Sequence, residues 1–243
     1  NLQSEQSAFS QSNQTMQFDQ LAFALPIDVK RDELGLTTNI ESTTLEINDL
    51  SAALEDLAID NKALNIALTN VAFSMDPKED IIASLSSQIQ SKDLSVKQAE
   101  NTANYEFFNL SNTLSLVKGK DTLSAQNNKL NIDIKGLNAL QGDGKSFSLE
   151  TMKLTAEELL ADIQLPTENQ SETEAQQASP LLTGTNINFY SQMLDVKLAD
   201  DKRMAAWKNA DINGLSFTQQ DETFAVDLTQ LAITDLTLSE TLT

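Results

Sequence analysis

The stretch FAVDLTQLAITDLTL, residues 224–238, alternates large apolar residues with small or polar ones, and it decides the fold class. Such alternation is typical of a β-strand with one apolar face, because successive side chains of a strand point to opposite faces. The alternation slips by one residue at Thr229-Gln230 and again at Thr234-Asp235. A slip moves the apolar set to the other face unless a β-bulge or a tight turn absorbs it. The stretch therefore predicts bulged strands built on the unit Φ-x-Φ-x-x-Φ-x-Φ, where Φ is a large apolar residue.

Copies of this unit recur along the chain and predict a repetitive, mainly β protein. Further slips lie at Glu55-Asp56 and Thr69-Asn70, and turn signals occur at Lys118-Gly119-Lys120 and Gly142-Asp143-Gly144. The clearest other copies are 16–23, 45–52, 66–73, 130–137 and 147–154. We predict an elongated, largely antiparallel and twisted sheet of bulged strands, with one or two short helices.

The helices are expected near 155–163 and 200–208. Thr155 and Glu158 have the spacing of a capping box, so helix and strand are both open for the first segment. The second segment contains the single Trp, Trp207, and is interpreted as a helical turn or two packed on the sheet. Residues 50–64 also have leucines at helical spacings, but the two-residue period is retained there and favours strand.

Composition suggests three segments in one domain. Residues 1–15 are rich in Gln and Ser and are expected to be loose, whereas 16–243 form a single β-repeat domain. Residues 166–180, PTENQSETEAQQASP, have almost no apolar content and are expected to form a flexible insertion. The same unit occurs on both sides of this segment, so an insertion in one sheet is favoured over a domain boundary.

Charge and missing residue types exclude several classes of function. The chain has 36 acidic and 16 basic residues, a net charge of −20, which opposes binding to nucleic acid. It contains no Cys and no His, so thiolate nucleophiles, thiolate metal ligands and the usual general base are missing. Paired carboxylates such as Glu157-Glu158 are adjacent in sequence on predicted strands or turns. On a strand, two adjacent side chains point to opposite faces, so the two carboxylates cannot act together on one substrate. We therefore expect no enzymatic activity, no cofactor and no metal.

The last forty residues carry a resemblance to a known family. Ala206-Trp207, then Ile212, Gly214 and Leu215, a polar turn, and an alternating run over 226–236 resemble the AsmA-like superfamily of Gram-negative envelope proteins, within its large periplasmic β-repeat branch of unassigned function. The resemblance implies a taco-shaped sheet with a hydrophobic groove and a role in phospholipid traffic or outer-membrane assembly and maintenance. It implies a periplasmic body and an inner-membrane anchor. No run of about twenty apolar residues occurs, so such an anchor is expected upstream.

Two functions fit the repeated one-faced strands. The first is an envelope module whose groove contacts phospholipid acyl chains or other envelope proteins, and the second is a surface adhesin or binding module of sandwich type. The few aromatic residues, 5%, favour a groove over a dense sandwich core. The candidate groove residues come from the unit and its copies: Phe18, Leu21, Ile47, Leu68, Val71, Ile132, Ile134, Leu149, Val226, Leu228, Leu231 and Ile233.

Overall fold

A computed structural model describes residues 2–11, 14–33, 35–78, 80–165, 180–200 and 202–239, and these form one antiparallel sheet of 14 strands. The strands are β1 (Leu2–Gln11), β2 (Gln14–Ala24), β3 (Asp28–Asp32), β4 (Gly35–Leu54), β5 (Leu57–Met75), β6 (Ile81–Gln98), β7 (Asn101–Lys118), β8 (Thr122–Leu140), β9 (Ser146–Gln164), β10 (Leu181–Lys197), β11 (Arg203–Gln220), β12 (Thr223–Asp227), β13 (Gln230–Thr234) and β14 (Thr237–Leu238). The prediction of a largely antiparallel β protein is confirmed.

The strands follow one another across the sheet in nearly the order of the sequence. The main path runs β1-β2-β4-β5-β6-β7-β8-β9-β10-β11-β12, with β3 pairing β4 and with β13 and β14 pairing β11. Tight hairpins make this order, as at Gly142-Asp143-Gly144, where the amide of Gly144 donates to the carbonyl oxygen of Gln141 at 2.8 Å. Gly144 has φ 90°, a conformation that glycine adopts without steric cost. This predicted hairpin is confirmed.

The slips in the apolar alternation coincide with residues of left-handed backbone conformation. Asp49, Asn70, Gly136 and Met193 have φ of 50°, 53°, 63° and 53°. Each of the four lies immediately before an apolar residue that resumes the alternation, so the left-handed residue returns the following side chains to the apolar face. The predicted slip at Thr69-Asn70 is thus absorbed within a strand. The slip at Glu55-Asp56 is instead a two-residue hairpin turn between β4 and β5.

Many of these left-handed residues lie in one line across the sheet. The residues that fall opposite one another, judged from the pairs on either side, are Gln6, Asp19, Asp49, Lys62, Asp93, Glu106, Gly136, Glu150, Met193, Lys208 and Asp235. Every second member, beginning with Gln6, has positive φ. Because neighbouring strands slip at the same level, their register is preserved on both sides of this line.

The two expected helices are strands. Residues 155–163 belong to β9, which pairs with β8 on one side and β10 on the other, as Thr155 does with Asn131 and Asn188. Residues 203–208 belong to β11, and Leu194 of β10 lies opposite Trp207. A capping box contributes a fraction of the free energy that two continuous ladders of backbone hydrogen bonds supply, so tertiary pairing overrides the local signal. The described residues contain no helix.

The structure also bears on the expected loose N-terminal segment, the expected insertion and the sandwich alternative. Leu2–Gln11, expected to be loose, form edge strand β1, because their backbone pairs with β2 even though most of their side chains stay exposed. The expected insertion at 166–180 lies almost entirely outside the described residues. The described part forms a single sheet, so the second, facing sheet that a sandwich requires is not present in that part.

A single layer buries little apolar surface. Among the described residues, the apolar side chains classed as buried are Leu149, Ala156, Leu194 and Ala210. The chain exposes 16,042 Å², whereas a compact monomer of 26.6 kDa exposes about 10,700 Å². The fold thus leaves a large area uncovered, and the chemistry of that area depends on which face is considered.

Candidate functional site

One face of the sheet carries rows of apolar side chains that cross almost all strands. The most complete row follows the register through eleven strands: Leu2, Phe23, Leu45, Ile66, Ile89, Leu110, Ile132, Leu154, Phe189, Ile212 and Leu231. A second row beyond the line of slips runs Phe9, Met16, Ala52, Ile59, Val96, Ala103, Ala139, Phe147, Val196, Ala205 and Leu238. We call the face that bears these rows the apolar face.

Side-chain contacts show that rows on both sides of the slip line share this face. The indole Nε1 of Trp207 donates to Ser191 Oγ at 2.8 Å across the left-handed Met193. The rings of Tyr105 and Phe108, which lie on either side of the same line, have centroids 6.0 Å apart. The slips therefore keep the apolar side chains together, which is the role that the sequence predicted for them.

A few polar groups lie on the apolar face and are largely paired with one another. Ser191, 1% exposed, accepts the hydrogen bond from Trp207. Asn61 Nδ2 donates to Ser91 Oγ at 2.7 Å and to the carbonyl oxygen of Lys92 at 3.2 Å. Pairing of this kind lowers the cost of placing hydroxyl and amide groups among aliphatic side chains. These residues interrupt the apolar rows without introducing charge.

An apolar cavity of about 750 Å³ lies on this face near one end of the strands. Seven consecutive strands, β5 to β11, contribute to its wall. The larger side chains that line it are Val71, Phe73, Leu85, Leu114, Leu116, Leu159, Leu160, Leu182 and Phe217. Its volume is within the range of roughly 300–1,000 Å³ that is usual for ligand pockets.

A second cavity of about 620 Å³ lies toward the other end of the strands. Its lining combines Val96, Phe147, Val196 and Met204 with polar residues of the strand ends, among them Lys145. Lys145 forms an ion pair of 2.6 Å with Asp143, and the hydrogen bond from Lys145 lowers the pKa of Asp143 below its ordinary value. The first cavity is thus the more uniformly apolar of the two.

The opposite face is polar and charged. A row across it contains Asp133, Lys153, Tyr190 and Asp211, which lie opposite one another in β8 to β11. Arg203 donates from Nε to Asp195 Oδ1 at 2.8 Å and from Nη2 to Oδ2 at 3.1 Å. This hydrogen bonding holds the pKa of Asp195 below its ordinary value. The two faces thus differ sharply in chemistry.

The structure brings many of the twelve predicted groove residues into common rows. Leu21, Ile47, Ile134 and Ile233 lie in one row, which also contains Leu64, Phe108, Met152 and Ala210. Ile132 and Leu231 belong to the eleven-strand row described above. Leu149 lies opposite Leu137 and Leu194, and Val226 lies opposite Phe217.

The remaining predicted residues are more dispersed. Phe18 lies opposite Ser7, and Leu68 lies between Thr43 and Ser87, where its row neighbours are polar. Leu228 lies between β12 and β13 and belongs to no strand. Val71 is the member of the predicted set that lines the larger cavity.

Sequence reasoning missed most of the cavity wall. Phe73, Leu114, Leu116 and Phe217 follow the same alternation as the predicted residues, so the signal that places them on the apolar face is present in the sequence. The alternation assigns a face to each residue, but it carries no information about which rows of a broad sheet enclose a cavity. That property depends on how seven strands are arranged together.

Comparisons of the chain with protein-family models, with curated proteins and with solved structures found no match. The described residues include no group of three or more acidic side chains placed to hold a metal ion. A search of the same residues for a helix long and apolar enough to cross a bilayer found none.

Proposed function

We propose that this chain is a non-enzymatic module of the bacterial cell envelope whose apolar face forms a groove for lipid acyl chains. The observation that carries the proposal is the apolar cavity of about 750 Å³ on a face crossed by continuous apolar rows. Each buried methylene contributes roughly 0.8 kcal/mol, so a partly covered acyl chain gains several kcal/mol without any contact to its headgroup.

The arrangement of strands around the cavity supports a groove. Seven flat, adjacent strands would extend over roughly 29 Å, since neighbouring strands lie about 4.8 Å apart. Side chains from all seven contribute to one cavity of about 750 Å³, which favours a sheet that curves around it. A curved, taco-like sheet places its apolar side inward, where it would shield an acyl chain from water.

The envelope location and the role in lipid transport or outer-membrane assembly come from the resemblance to the AsmA-like superfamily. An acidic chain without Cys suits an oxidising compartment outside the cytoplasm, because no thiol has to be kept reduced there. The absence of His and Cys from the sequence favours binding over catalysis.

A single Trp in the cavity wall provides a direct test of the proposal. In the double variant W207F/L116W the only indole replaces Leu116, a partly exposed residue of the wall, so a lipid with bromine atoms in its acyl chain should quench its fluorescence on binding. The matched control is the double variant W207F/Y190W, which places the indole on the polar face, where Tyr190 lies opposite Lys153 and Asp211. We expect strong quenching in W207F/L116W and little in the control.

Two results would contradict the proposal. Equal quenching of the two proteins would indicate contact of lipid with both faces, as in nonspecific adsorption. No quenching of W207F/L116W at lipid concentrations up to the millimolar range would exclude acyl-chain binding in the cavity. Melting curves of both proteins establish that the control is folded.

The last strands favour a second candidate function, an interaction module for other envelope proteins. Phe224, Val226, Leu231, Ile233 and Leu238 on β12 to β14 are exposed at the edge of the described sheet. This edge contains no Lys, Arg or Pro from Thr223 to Leu238, the residues that commonly protect edge strands from pairing. Two results together would favour this candidate. The edge variant V226K/I233K would capture fewer partner proteins from envelope extracts than the wild type, and brominated acyl chains would cause no quenching.

A further inference from the structure

The last edge of the described sheet is continuous, although it is divided into β12, β13 and β14. Thr223 lies opposite Gln220 of β11, and Leu238 lies opposite Ala205. The edge and β11 thus advance by the same number of residues, and in the described part of the chain the edge pairs with β11 alone. Its outer backbone groups are therefore available to a further strand. Its exposed apolar side chains are Phe224, Val226, Leu228, Leu231, Ile233, Leu236 and Leu238.

The slips of this edge restrict which strand can pair with it. Along the line of slips described above, residues with positive φ alternate with ordinary residues from strand to strand, and Asp235, φ 53°, is the last of them. At the other slip of the edge, Thr229 is an ordinary residue and falls opposite Gly214 of β11, φ 63°. An added strand continues this alternation when it has an ordinary residue opposite Asp235 and a left-handed residue opposite Thr229.

The sequence of the edge meets both requirements when it runs antiparallel to the same edge of a second copy. With Ala232 opposite Ala232 of the other copy, Asp235 of each copy falls opposite Thr229 of the other. Both slips then lie at the same levels in the two copies, so the apolar faces stay on one side of the joined sheet. The apolar residues that become opposed are Leu231 with Ile233, Leu228 with Leu236, and Val226 with Leu238.

Other pairings between two copies do not meet these requirements. An axis between Thr229 and Gln230 places two ordinary residues opposite each other at that slip and Asp235 opposite Phe224. Pairing with the first edge, β1, aligns the slips only when Asp235 falls opposite Gln6, and both of these residues have positive φ. The edge is thus complementary to itself in one register.

Charge along the edge is compatible with this register. The charged residues from Thr223 to Leu238 are Asp227 and Asp235, and they fall opposite Thr237 and Thr229 of the other copy, so no like charges are opposed. The whole chain has a net charge of −20, and two copies repel each other in dilute solution at low salt. Physiological salt screens this repulsion beyond about 8 Å. Association is therefore expected at high protein concentration and physiological salt.

We propose that the β12–β14 edge binds the same edge of a second copy of this chain and joins two sheets into one across a two-fold axis at Ala232. A two-fold contact uses the same surface of both copies, so association stops at a dimer. The apolar rows continue from one copy into the other. The inference is independent of the acyl-chain site, and it names a partner for the edge considered above as a contact for other envelope proteins.

Disulfide formation tests the register directly. The wild type contains no Cys, so a disulfide in a single-Cys variant joins two copies. Opposed residues of antiparallel strands have Cα atoms about 4.5–5.5 Å apart, which suits a disulfide. A232C falls opposite itself and should form a covalent dimer under mild oxidation. The matched control A225C changes an alanine of the same edge, also on the polar face, but falls opposite Ser239 and should stay largely monomeric.

Sedimentation velocity over a range of protein concentrations at physiological salt measures association without a disulfide. We expect a monomer–dimer equilibrium for the wild type. A232K places two like charges opposite each other at the axis and should move the midpoint to about tenfold higher protein concentration. A225K changes the net charge by the same amount and should move the midpoint much less, so a difference between the two variants depends on position.

Two results would overturn the inference. A wild type that remains monomeric at all concentrations would leave the edge to a strand of different sequence. A dimer in which A232C forms no more disulfide than A225C would show contact through another surface, such as the apolar face or β1. Melting curves of the reduced variants establish that both are folded. Acyl-chain quenching of W207F/L116W is measured separately, so failure of this inference leaves the proposed function untouched.

Discussion

Exposure decides how much an apolar residue of this sheet contributes to stability. Leu149 is 5% exposed and Leu231 is 58% exposed, although both follow the same alternation and were predicted to share a groove. The alternation identifies the face on which a side chain lies, but the depth of burial depends on how many strands flank it. Leu149 has neighbours on both sides, whereas the described sheet ends at the strand that contains Leu231.

The variants L149A and L231A should therefore differ in stability. We expect L149A to lower the free energy of unfolding by about 2–5 kcal/mol, the usual cost of a large-to-small change at a buried site. L231A should lower it by less than about 1 kcal/mol, as is usual for exposed positions. Urea denaturation followed by circular dichroism measures both. A cost for L231A as large as that for L149A would show that the edge is covered in solution.

The ion pair between Asp195 and Arg203 gives a prediction about pH. The pKa of Asp195 is lowered in the folded state by the hydrogen bond from Arg203, so the pair stabilises the fold above the unfolded pKa, about 3.9. That contribution is lost as the pH falls from about 3.9 through the lower folded value. Because half of the Arg203 side chain is exposed, 50%, we expect D195N to cost no more than about 1 kcal/mol at pH 7.

The effect of the same variant should be smaller at pH 2 than at pH 7, because acid protonates Asp195 and removes the charge that pairs with Arg203. Urea unfolding of D195N and of the wild type at the two pH values measures the difference. D227N, which changes an exposed acidic residue of the edge strand β12, is the control and should be nearly neutral at pH 7. A loss for D195N that is equal at pH 7 and pH 2 would show that the ion pair is not its cause.

At the scale of the strand, the line of left-handed residues determines which side chains share a face. Met193 has φ 53° and is 49% exposed, so a left-handed conformation that is costly for a residue with a Cβ is maintained by its neighbours in β9 and β11. Met204 of β11 is also exposed, and it is not among the residues with positive φ. Substitution by glycine should therefore have opposite effects at these two methionines.

We expect M193G to raise the free energy of unfolding by up to about 1 kcal/mol, since glycine adopts positive φ without steric cost. M204G should lower it by about 0.5–1 kcal/mol, because glycine weakens an ordinary strand. M193V should be clearly destabilising, as β-branched residues are disfavoured at positive φ. The three variants are compared by thermal and urea unfolding. Destabilisation by M193G as large as that by M204G would contradict a left-handed backbone at Met193.

Strands and slips were predictable from sequence to the extent that they depend on neighbouring residues in the chain. The two-residue period identified the strands, and the one-residue slip at Thr69-Asn70 located a backbone irregularity. The capping box of Thr155 and Glu158 left a helix open where the structure has a strand. That strand depends on pairing with β8 and β10, whose residues Asn131 and Asn188 lie about 24 and 33 positions from Thr155 in sequence. The cavity wall was missed for the same reason, since seven strands contribute to it.

At the scale of the whole molecule, the sheet should unfold with an unusually small heat-capacity change. Hydration of newly exposed apolar surface dominates this quantity, which is about 12–15 cal/mol/K per residue for compact proteins, or about 3–3.6 kcal/mol/K for 243 residues. The chain already exposes 16,042 Å² when folded, so unfolding exposes less new surface than it does in a compact protein. We expect a value below about 3 kcal/mol/K from calorimetry over a range of pH.

The heat-capacity measurement is interpreted together with sedimentation velocity at the same protein concentrations. Sedimentation shows whether the protein is a monomer, because self-association would also cover the apolar face. A monomer with a heat-capacity change below about 3 kcal/mol/K fits an open face that is available to acyl chains. A monomer with a value at or above that of a compact protein would show that the face closes on itself in solution. In that case a lipid would have to reopen the sheet before binding, and the energy of the acyl-chain contacts would be partly offset by the loss of those internal ones.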